Sequence, residues 1–311
     1  MLAALDLGLI YGLMALGVYL TFRVLDVPDL TVDGSFTTGA AVAATMIVGG
    51  GSPLLATILG AVAGVVAGAV TGVLTTFGKI NPLLAGILTQ ISLYSINLRI
   101  MGKANVPLLR SETLLSPLRD ANLFATWVSI GIFALLAAVF AAAIVWFLGT
   151  DLGLGMQATG DNESMARSLG VSTDGQKVAG LAISNGLVAL CGALMAQYQG
   201  YADIGMGIGL IVAGLASVIL GQAVLGTRPV ALAAVAVVLG SVLYRIVIQL
   251  ALMVGLNPND MKLISALLVI IALIVPRWGV FKRLRARRRE RQMAADDLPD
   301  ATLLPEEASH A

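Results

Sequence analysis

Apolar residues in this chain come in stretches long enough to cross a lipid bilayer, one after another, from the first residues to about position 276. A helix needs about 20 mainly apolar residues to cross the hydrocarbon core. Nine segments meet or approach that length: 2–22, 30–48, 53–77, 81–101, 125–148, 177–199, 208–226, 229–253 and 261–276. Turn chemistry separates them, as at Val27-Pro28-Asp29, Gly49-Gly50-Gly51-Ser52-Pro53, Gly78-Lys79-Ile80-Asn81-Pro82 and Asn257-Pro258-Asn259-Asp260. The last segment is short, and the second opens on a polar third containing Asp29, Thr31, Asp33, Ser35, Thr37 and Thr38. The expected fold is therefore all-α: a polytopic transmembrane helical bundle of about nine spans, within a range of about 8–10.

Composition excludes the obvious rivals. Charged residues make up 12% of the chain and AVILMFWYC 58%, with a mean hydropathy of +0.92. A soluble domain carries about 25% charged residues, so a soluble enzyme is excluded. Cys191 is the single cysteine and His310 the single histidine. Neither an intrachain disulfide nor a Cys- or His-based metal site is available, and no metal ligation is expected. The spans hold no clustered carboxylates at metal spacing and no Ser beside a base, which argues against a membrane-embedded lipid enzyme. No G-x-x-x-x-G-K-[ST] loop occurs, so the chain has no nucleotide site of its own. Nothing in it points to nucleic acid.

Lys and Arg favour cytoplasmic loops. With nine spans, an N-terminus outside and a C-terminus inside places thirteen cations in the cytoplasm, including Arg23, Lys79, Arg167, Lys177 and the eight within 277–291. Five fall outside: Arg99, Lys103, Arg110, Arg119 and Lys262. Residues 1–276 then form the membrane domain, with 102–124 outside and 149–176 inside. Residues 277–311 form a basic-then-acidic cytoplasmic tail of disordered composition. Met1 leads into apolar sequence without a basic n-region, so the first span is expected to be retained.

Gly60, Gly64, Gly68 and Gly72 recur every fourth residue and form one helix face suited to close helix packing. Asp29 with Gly39, after the first span, parallels Asp203 with Gly214, after the sixth. The two stretches would lie at opposite faces, which suggests an inverted repeat with discontinuous helices, a common transporter plan. Polar residues within spans tend to face a pathway or a partner helix. Thr89, Gln90, Asn97, Asn185, Arg245 and Gln249 are the candidates for a translocation pathway. A guanidinium at Arg245 would suit a carboxylate held bidentately; pairing with an acidic residue or packing is the plainer alternative.

The stretches GLIYGLMALG (8–17), DLTVDGSFTTGAAVAA (29–44), KINPLLAGILT (79–89) and GMQATGDNESMARSLGVSTDGQKV (155–178) resemble the permeases of branched-chain amino acid/ribose-type ABC importers. The likeness runs in order over residues 5–276. DLTVDGSF and NVPLL (105–109) look most like the subgroup paired with aromatic amino-acid-type binding proteins. Ribose-type relatives often have ten spans, and this chain starts at what resembles their second.

The resemblance implies a multi-pass subunit of a prokaryotic plasma (cell inner) membrane, importing a small polar solute by alternating access. It would work with cytoplasmic ABC ATPase subunits that carry ATP and Mg, a second permease copy, and an extracytoplasmic solute-binding protein docking at 102–124 and around 200–207. The chain itself would be no enzyme and hold no cofactor. Coupling would run through a helix at Asn162–Leu169, with Asp161 as N-cap and Gly170 as stop. Met165 and Leu169 would face the ATPase beside Ala166, flanked by the Glu163–Arg167 pair. The rival class is an ATPase-independent secondary transporter. Such carriers usually keep mid-span carboxylates, whereas here the Asp residues fall near span ends.

Overall fold

A computed structural model describes residues 2–226 and 230–253, with Leu263, Ala266, Leu267 and Ile270 beyond them. Arg228, the ninth apolar segment apart from those positions, and the tail lie outside the described residues. Eleven α-helices are present among the described residues: α1 Leu2–Tyr19, α2 Thr31–Val48, α3 Pro53–Thr76, α4 Pro82–Met101, α5 Ser116–Asp120, α6 Trp127–Leu148, α7 Asp151–Asp161, α8 Glu163–Ser168, α9 Thr173–Gln199, α10 Leu210–Leu225 and α11 Val230–Met253. A π-helical turn, Leu20–Val24, extends α1.

Six of these helices are long and apolar enough to cross a membrane: α1 with its π turn, α3, α4, α6, α9 and α11. The two remaining segments within the described range form helices of another character. α2 is buried almost along its whole length, and its polar first third bonds inside the protein. Thr37 and Thr38 donate back to the carbonyls of Asp33 (3.3 Å) and Gly34 (2.9 Å). Because α2 meets protein rather than lipid, its hydropathy falls short of a lipid-facing span. α10 has 16 residues, about 24 Å of helix, and is short for an independent crossing.

The helices pack by backbone proximity. α3 lies along α9, α1 along α11, and α2 across α9. A Cβ on Gly64 or Gly68 would fall on the carbonyl oxygens of Asn185 and Leu181, and one on Gly72 would stand 2.7 Å from the Val178 Cα. At Gly60 the neighbour is the Gly39 carbonyl oxygen of α2, at 2.8 Å. Lipid offers no hydrophobic drive for helix association, so such close van der Waals contact and interhelical hydrogen bonds hold the bundle. α6 is the contrast: apolar around its circumference, it is pinned at its start, where Asp6 accepts from Ser129 Oγ (2.8 Å) and Ala125 N (3.0 Å).

Among the described residues the fold departs from all-α at one place. Gly102 and Gly200 end α4 and α9 in left-handed conformations (φ +66° and +79°), turning both chains at the same end of the bundle. Two short antiparallel strands follow, β1 Asn105–Pro107 and β2 Tyr201–Asp203, in the register Val106↔Ala202. Their backbones pair because two freed loops meet there, with Leu108 N donating to Gly200 O at 2.7 Å. The segments 102–124 and 200–207 thus lie side by side, and Leu114 N also donates to Gln197 Oε1 (3.0 Å).

The α3–α9 contact predicts a sharp difference between two glycines. Gly68→Ala should destabilise the protein by about 1–3 kcal/mol, because the methyl meets backbone. Gly131→Ala on α6, where nothing lies within 4 Å, should be neutral or stabilising. Thermal unfolding of both variants in detergent checks this.

Candidate functional sites

The segment 149–176 folds as a helix–turn–helix against the ends of α1 and α9. Gly160 of α7 abuts the Val24 carbonyl, and the Met156 side chain fills the space beside Gly180. Asn162, with extended backbone, breaks the chain between α7 and α8 and caps α8: its Oδ1 accepts from Met165 N at 3.0 Å. The cap is therefore Asn162, and the expectation of Asp161 is corrected by one residue. Asp161 completes α7, and Asn162 Oδ1 is the acceptor positioned over the N3 amide. Gly170 (φ +88°) follows α8, where Val171 N bonds to Ala166 O and Gly170 N to Arg167 O, both at 3.1 Å. This double bond pattern satisfies the last carbonyls of the helix and stops it.

α8 is braced from below and bare above. Ala166 is buried, whereas Met165 and Leu169 are 60% and 72% exposed. Arg167 bridges Glu163 (3.3 Å), Asp174 (3.0 Å) and the Thr173 hydroxyl (2.7 Å). Lys177 completes the network by reaching Glu163 Oε2 at 2.7 Å. Isolated surface pairs contribute little, but these four charges bind one short helix to the start of α9. The hydrogen bond from Lys177 holds the Glu163 carboxyl below the usual carboxylate range. Partial burial opposes that shift, and the charges of Lys177 and Arg167 reinforce it.

A second polar centre lies inside the bundle. Asn185 of α9 donates to Asp29 Oδ2 (2.6 Å) and Leu181 O (2.9 Å), and its Oδ1 accepts from Ser35 Oγ (2.7 Å). Asp29 is fully buried and also accepts from Thr31 N at 2.8 Å. Hydroxyls carry the network onward, from Thr31 to Thr71 (2.8 Å) and from Thr71 to Thr89 (3.0 Å), so that α2, α3, α4 and α9 share it.

A cavity of about 410 Å³ opens between α2, α4 and the turn that leads into α10. Asp33, Thr37, Gln90, Tyr94, Ser95 and Asn97 supply its polar lining. Asp33 also supplies the N-terminal cap that α10 lacks in its own sequence. Its two carboxylate oxygens accept from Gly209 N (2.7 Å) and Ile211 N (2.9 Å).

The structure thus brings Gln90 and Asn97 together at one cavity, while Thr89 and Asn185 belong to the buried network. Arg245 lies elsewhere, its guanidinium carbon 3.7 Å from the centroid of the Tyr11 ring, which stacks on Phe36. No carboxylate among the described residues forms an ion pair with it. Gln249 stands one turn beyond, half-buried. Sequence reasoning missed the roles of Asp33, Ser35, Asn162 and Lys177. The polar first third of the second segment was the available signal for the first two. Among the described residues no group of three or more His, Cys, Asp or Glu side chains gathers as a metal site.

These features define a multi-pass membrane protein with a projecting helical element at one end and a polar cavity between its helices. Residues 1–274 match the family described as branched-chain amino acid transport system / permease component, and the chain belongs to this family of ABC importer permeases. It is 42% identical over 265 residues to the tyrosine transport system permease protein of Clostridioides difficile (strain R20291), covering 85% of this chain and 86% of that one. It is 35% identical over 277 residues to an uncharacterized protein of Rickettsia prowazekii (strain Madrid E), covering 88% and 96% respectively. A solved metal-chelate type ABC transporter in an inward-facing conformation is similar at a TM-score of 0.49 and 17% identity, over 90% of this chain and 83% of that one.

Acid should loosen α8 selectively. A carboxylate with a lowered folded value stabilises the folded form above its unfolded value, 4.5 for Glu163, and loses that contribution as pH falls through the lower folded value. Hydrogen exchange at the amides of 163–170 should stay slow from neutral pH to about pH 5, then gain on the α9 amides below it once intrinsic rates are normalised. In Lys177→Met, which brings the folded value back toward the unfolded one, this acid-dependent loss should shrink.

Proposed function

We propose that this chain is the membrane subunit of a bacterial importer for an amino-acid-type solute, driven by ATP hydrolysed on a separate subunit. Family membership supports the general role, and the relative named as a tyrosine permease supports the solute class. The observation that carries the energy-coupling part is α8: a capped, ion-braced helix presenting two bare apolar side chains, Met165 and Leu169. Exposed apolar groups on a rigid mount suit a groove in a cytoplasmic partner. ATP and Mg would be held by that partner, and this chain would contribute no cofactor.

The membrane-embedded surface supports a second permease copy beside α4. α6 presents Val128, Ile132, Leu135 and Val139 outward, as a lipid-facing helix does. α4 also shows most of its surface, yet it is the least apolar of the six span-length helices and carries Gln90, Tyr94 and Ser95 among its leucines and isoleucines. Polar groups are expensive against lipid, so α4 would face another protein surface and a watery path between two copies. An extracytoplasmic binding protein would meet the β1–β2 ribbon and the adjoining 108–124.

Two further features support the orientation and the repeat. Arg23, Lys79, Arg167 and Lys177 belong to the end that carries α7 and α8, and Lys103 and Arg110 to the ribbon end, as an N-out, C-in placement requires. Exchanging α1, α2 and α3 for α9, α10 and α11 preserves the packing. α3 lies on α9 as α11 lies on α1, α2 on α9 as α10 on α1, and α2 on α3 as α10 on α11.

The double substitution Met165→Glu with Leu169→Glu should uncouple the transporter. In proteoliposomes with the ATPase and binding protein, solute uptake should fall at least about tenfold while ATP hydrolysis loses its response to loaded binding protein. Unchanged uptake would overturn the role of α8.

A further inference from the structure

A second groove runs between α3 and α4, with α2 as its floor, and its chemistry suits hydrocarbon. It holds about 400 Å³ and is walled by Val66, Val70 and Leu74 from α3 and by Leu88, Ile96 and Ile100 from α4. The hydroxyls in its lining are already engaged: Thr38 donates to Gly34 O (2.9 Å), Thr89 to Ala85 O (3.0 Å) and Ser92 to Leu88 O (2.9 Å). No hydroxyl proton is left for a polar ligand, and an apolar recess of this kind does not hold water. Val66, Val70, Leu88 and Ile96 are all exposed, so the groove opens on the outside of the bundle. Leu88, Ser92, Ile96 and Ile100 recur every fourth residue, on one face of α4. Gln90 and Tyr94 stand two positions off, about 200° around the helix, and line the polar cavity. α4 is thus a wall with a wet side and a greasy side, and the groove lies away from the face proposed to meet a second copy.

At one end the groove meets a cation. Leu74 lies at that end, and the turn joining α3 to α4 folds back onto it, with Ile80 N donating to Leu74 O at 3.2 Å. Lys79 sits in this turn, exposed, and forms no ion pair with a described residue. The walls, 63–74 on α3 and 88–100 on α4, run about 17 Å. That is close to the depth of one leaflet's hydrocarbon, about 15 Å. The groove therefore matches an acyl chain whose headgroup stands at Lys79, and a phosphate is the charge that Lys79 lacks.

We propose that this groove is a binding site for one anionic phospholipid, with its acyl chain between α3 and α4 and its phosphate at Lys79. The negative lipids of the cytoplasmic leaflet are the source. Of the importer reading, this uses only the placement of the Lys79 turn at the cytoplasmic side. A chain seated there packs on the back of the wall whose front lines the polar cavity, so it limits how far α4 can yield.

The test places the complex of permease and ATPase in nanodiscs of phosphatidylcholine and phosphatidylglycerol. A trace of one or the other lipid carries a photoactivatable acyl chain, and mass spectrometry maps the adducts. The outward face of α6, at Val128, Leu135 and Val139, reports ordinary boundary lipid. Val66, Val70 and Ile96 in the groove should label about fivefold more from phosphatidylglycerol than from phosphatidylcholine, while α6 labels alike from both. Lys79→Gln should abolish that preference in the groove and leave α6 unchanged. Ser92→Phe, which puts a ring into the groove, should remove groove adducts from both lipids. Equal labelling by the two lipids, a preference that survives Lys79→Gln, or adducts that survive Ser92→Phe overturns the site. A groove that takes no adducts overturns it too, and means that a second copy or another segment of the chain covers it. If a variant fails to assemble, the wild-type comparison decides alone. Both leaflets of the disc share one composition, so a negative result falls on the lipid site; protease access to α8 in oriented vesicles tests the cytoplasmic placement by itself.

Discussion

The near-contact of two backbones, α3 against α9, is the constraint on which the rest of the bundle depends. Four glycines at four-residue spacing leave a bare stripe along the α3 face, and α9 and α2 fill the space up to the carbonyl oxygens. Only at that distance does Asn185 sit deep enough to hold Asp29 and Ser35 at the entry to α2. A buried carboxylate without a cation is tolerable because amide and backbone donors satisfy it. The order of causes runs from glycine spacing to helix separation, and from helix separation to a polar network that lets α2 begin inside the protein.

Much of this was legible in the sequence, and the misses have physical causes. Segment lengths and turn residues located the six span-length helices closely, because a long apolar run bounded by Gly, Pro and Asn permits few other structures. They located α2 and α10 as well, and the polar opening third of the second segment set it apart from the rest. Hydropathy measures preference for lipid, and α2 is surrounded by protein. The ribbon pairing 105–107 with 201–203 was out of reach, since three-residue strands nearly a hundred positions apart leave no periodic signal. Asn162 and Asp161 are adjacent and both suit a helix cap; only the actual break in the backbone decides between them.

The candidate sites divide along the same line. α8 could be read from local spacing: Glu163 four before Arg167, Met165 four before Leu169, and a glycine just past the end. Its anchoring by Lys177 and Asp174 spans more residues and came only with the structure. Gln90 and Asn97, seven apart, announced a shared helix face, but the wall opposite them did not. Asp33 read as one acidic residue near a span end, whereas in space it lies at the cavity and caps a helix 176 residues away. Long-range caps of this kind are invisible to any rule based on neighbouring residues.

One consequence follows from the way α6 is held. Its tilt is set by the Asp6 latch at Ser129 and Ala125, by Phe133, Ala141, Ile144 and Leu148 packed into the core beside α1 and α11, and by the direct passage through Thr150 into α7. A rod fastened along one side and joined at its end to a braced foot behaves as a lever. A displacement of α7 and α8 would therefore travel through α6 into the helices beside it rather than dissipate in the surrounding lipid.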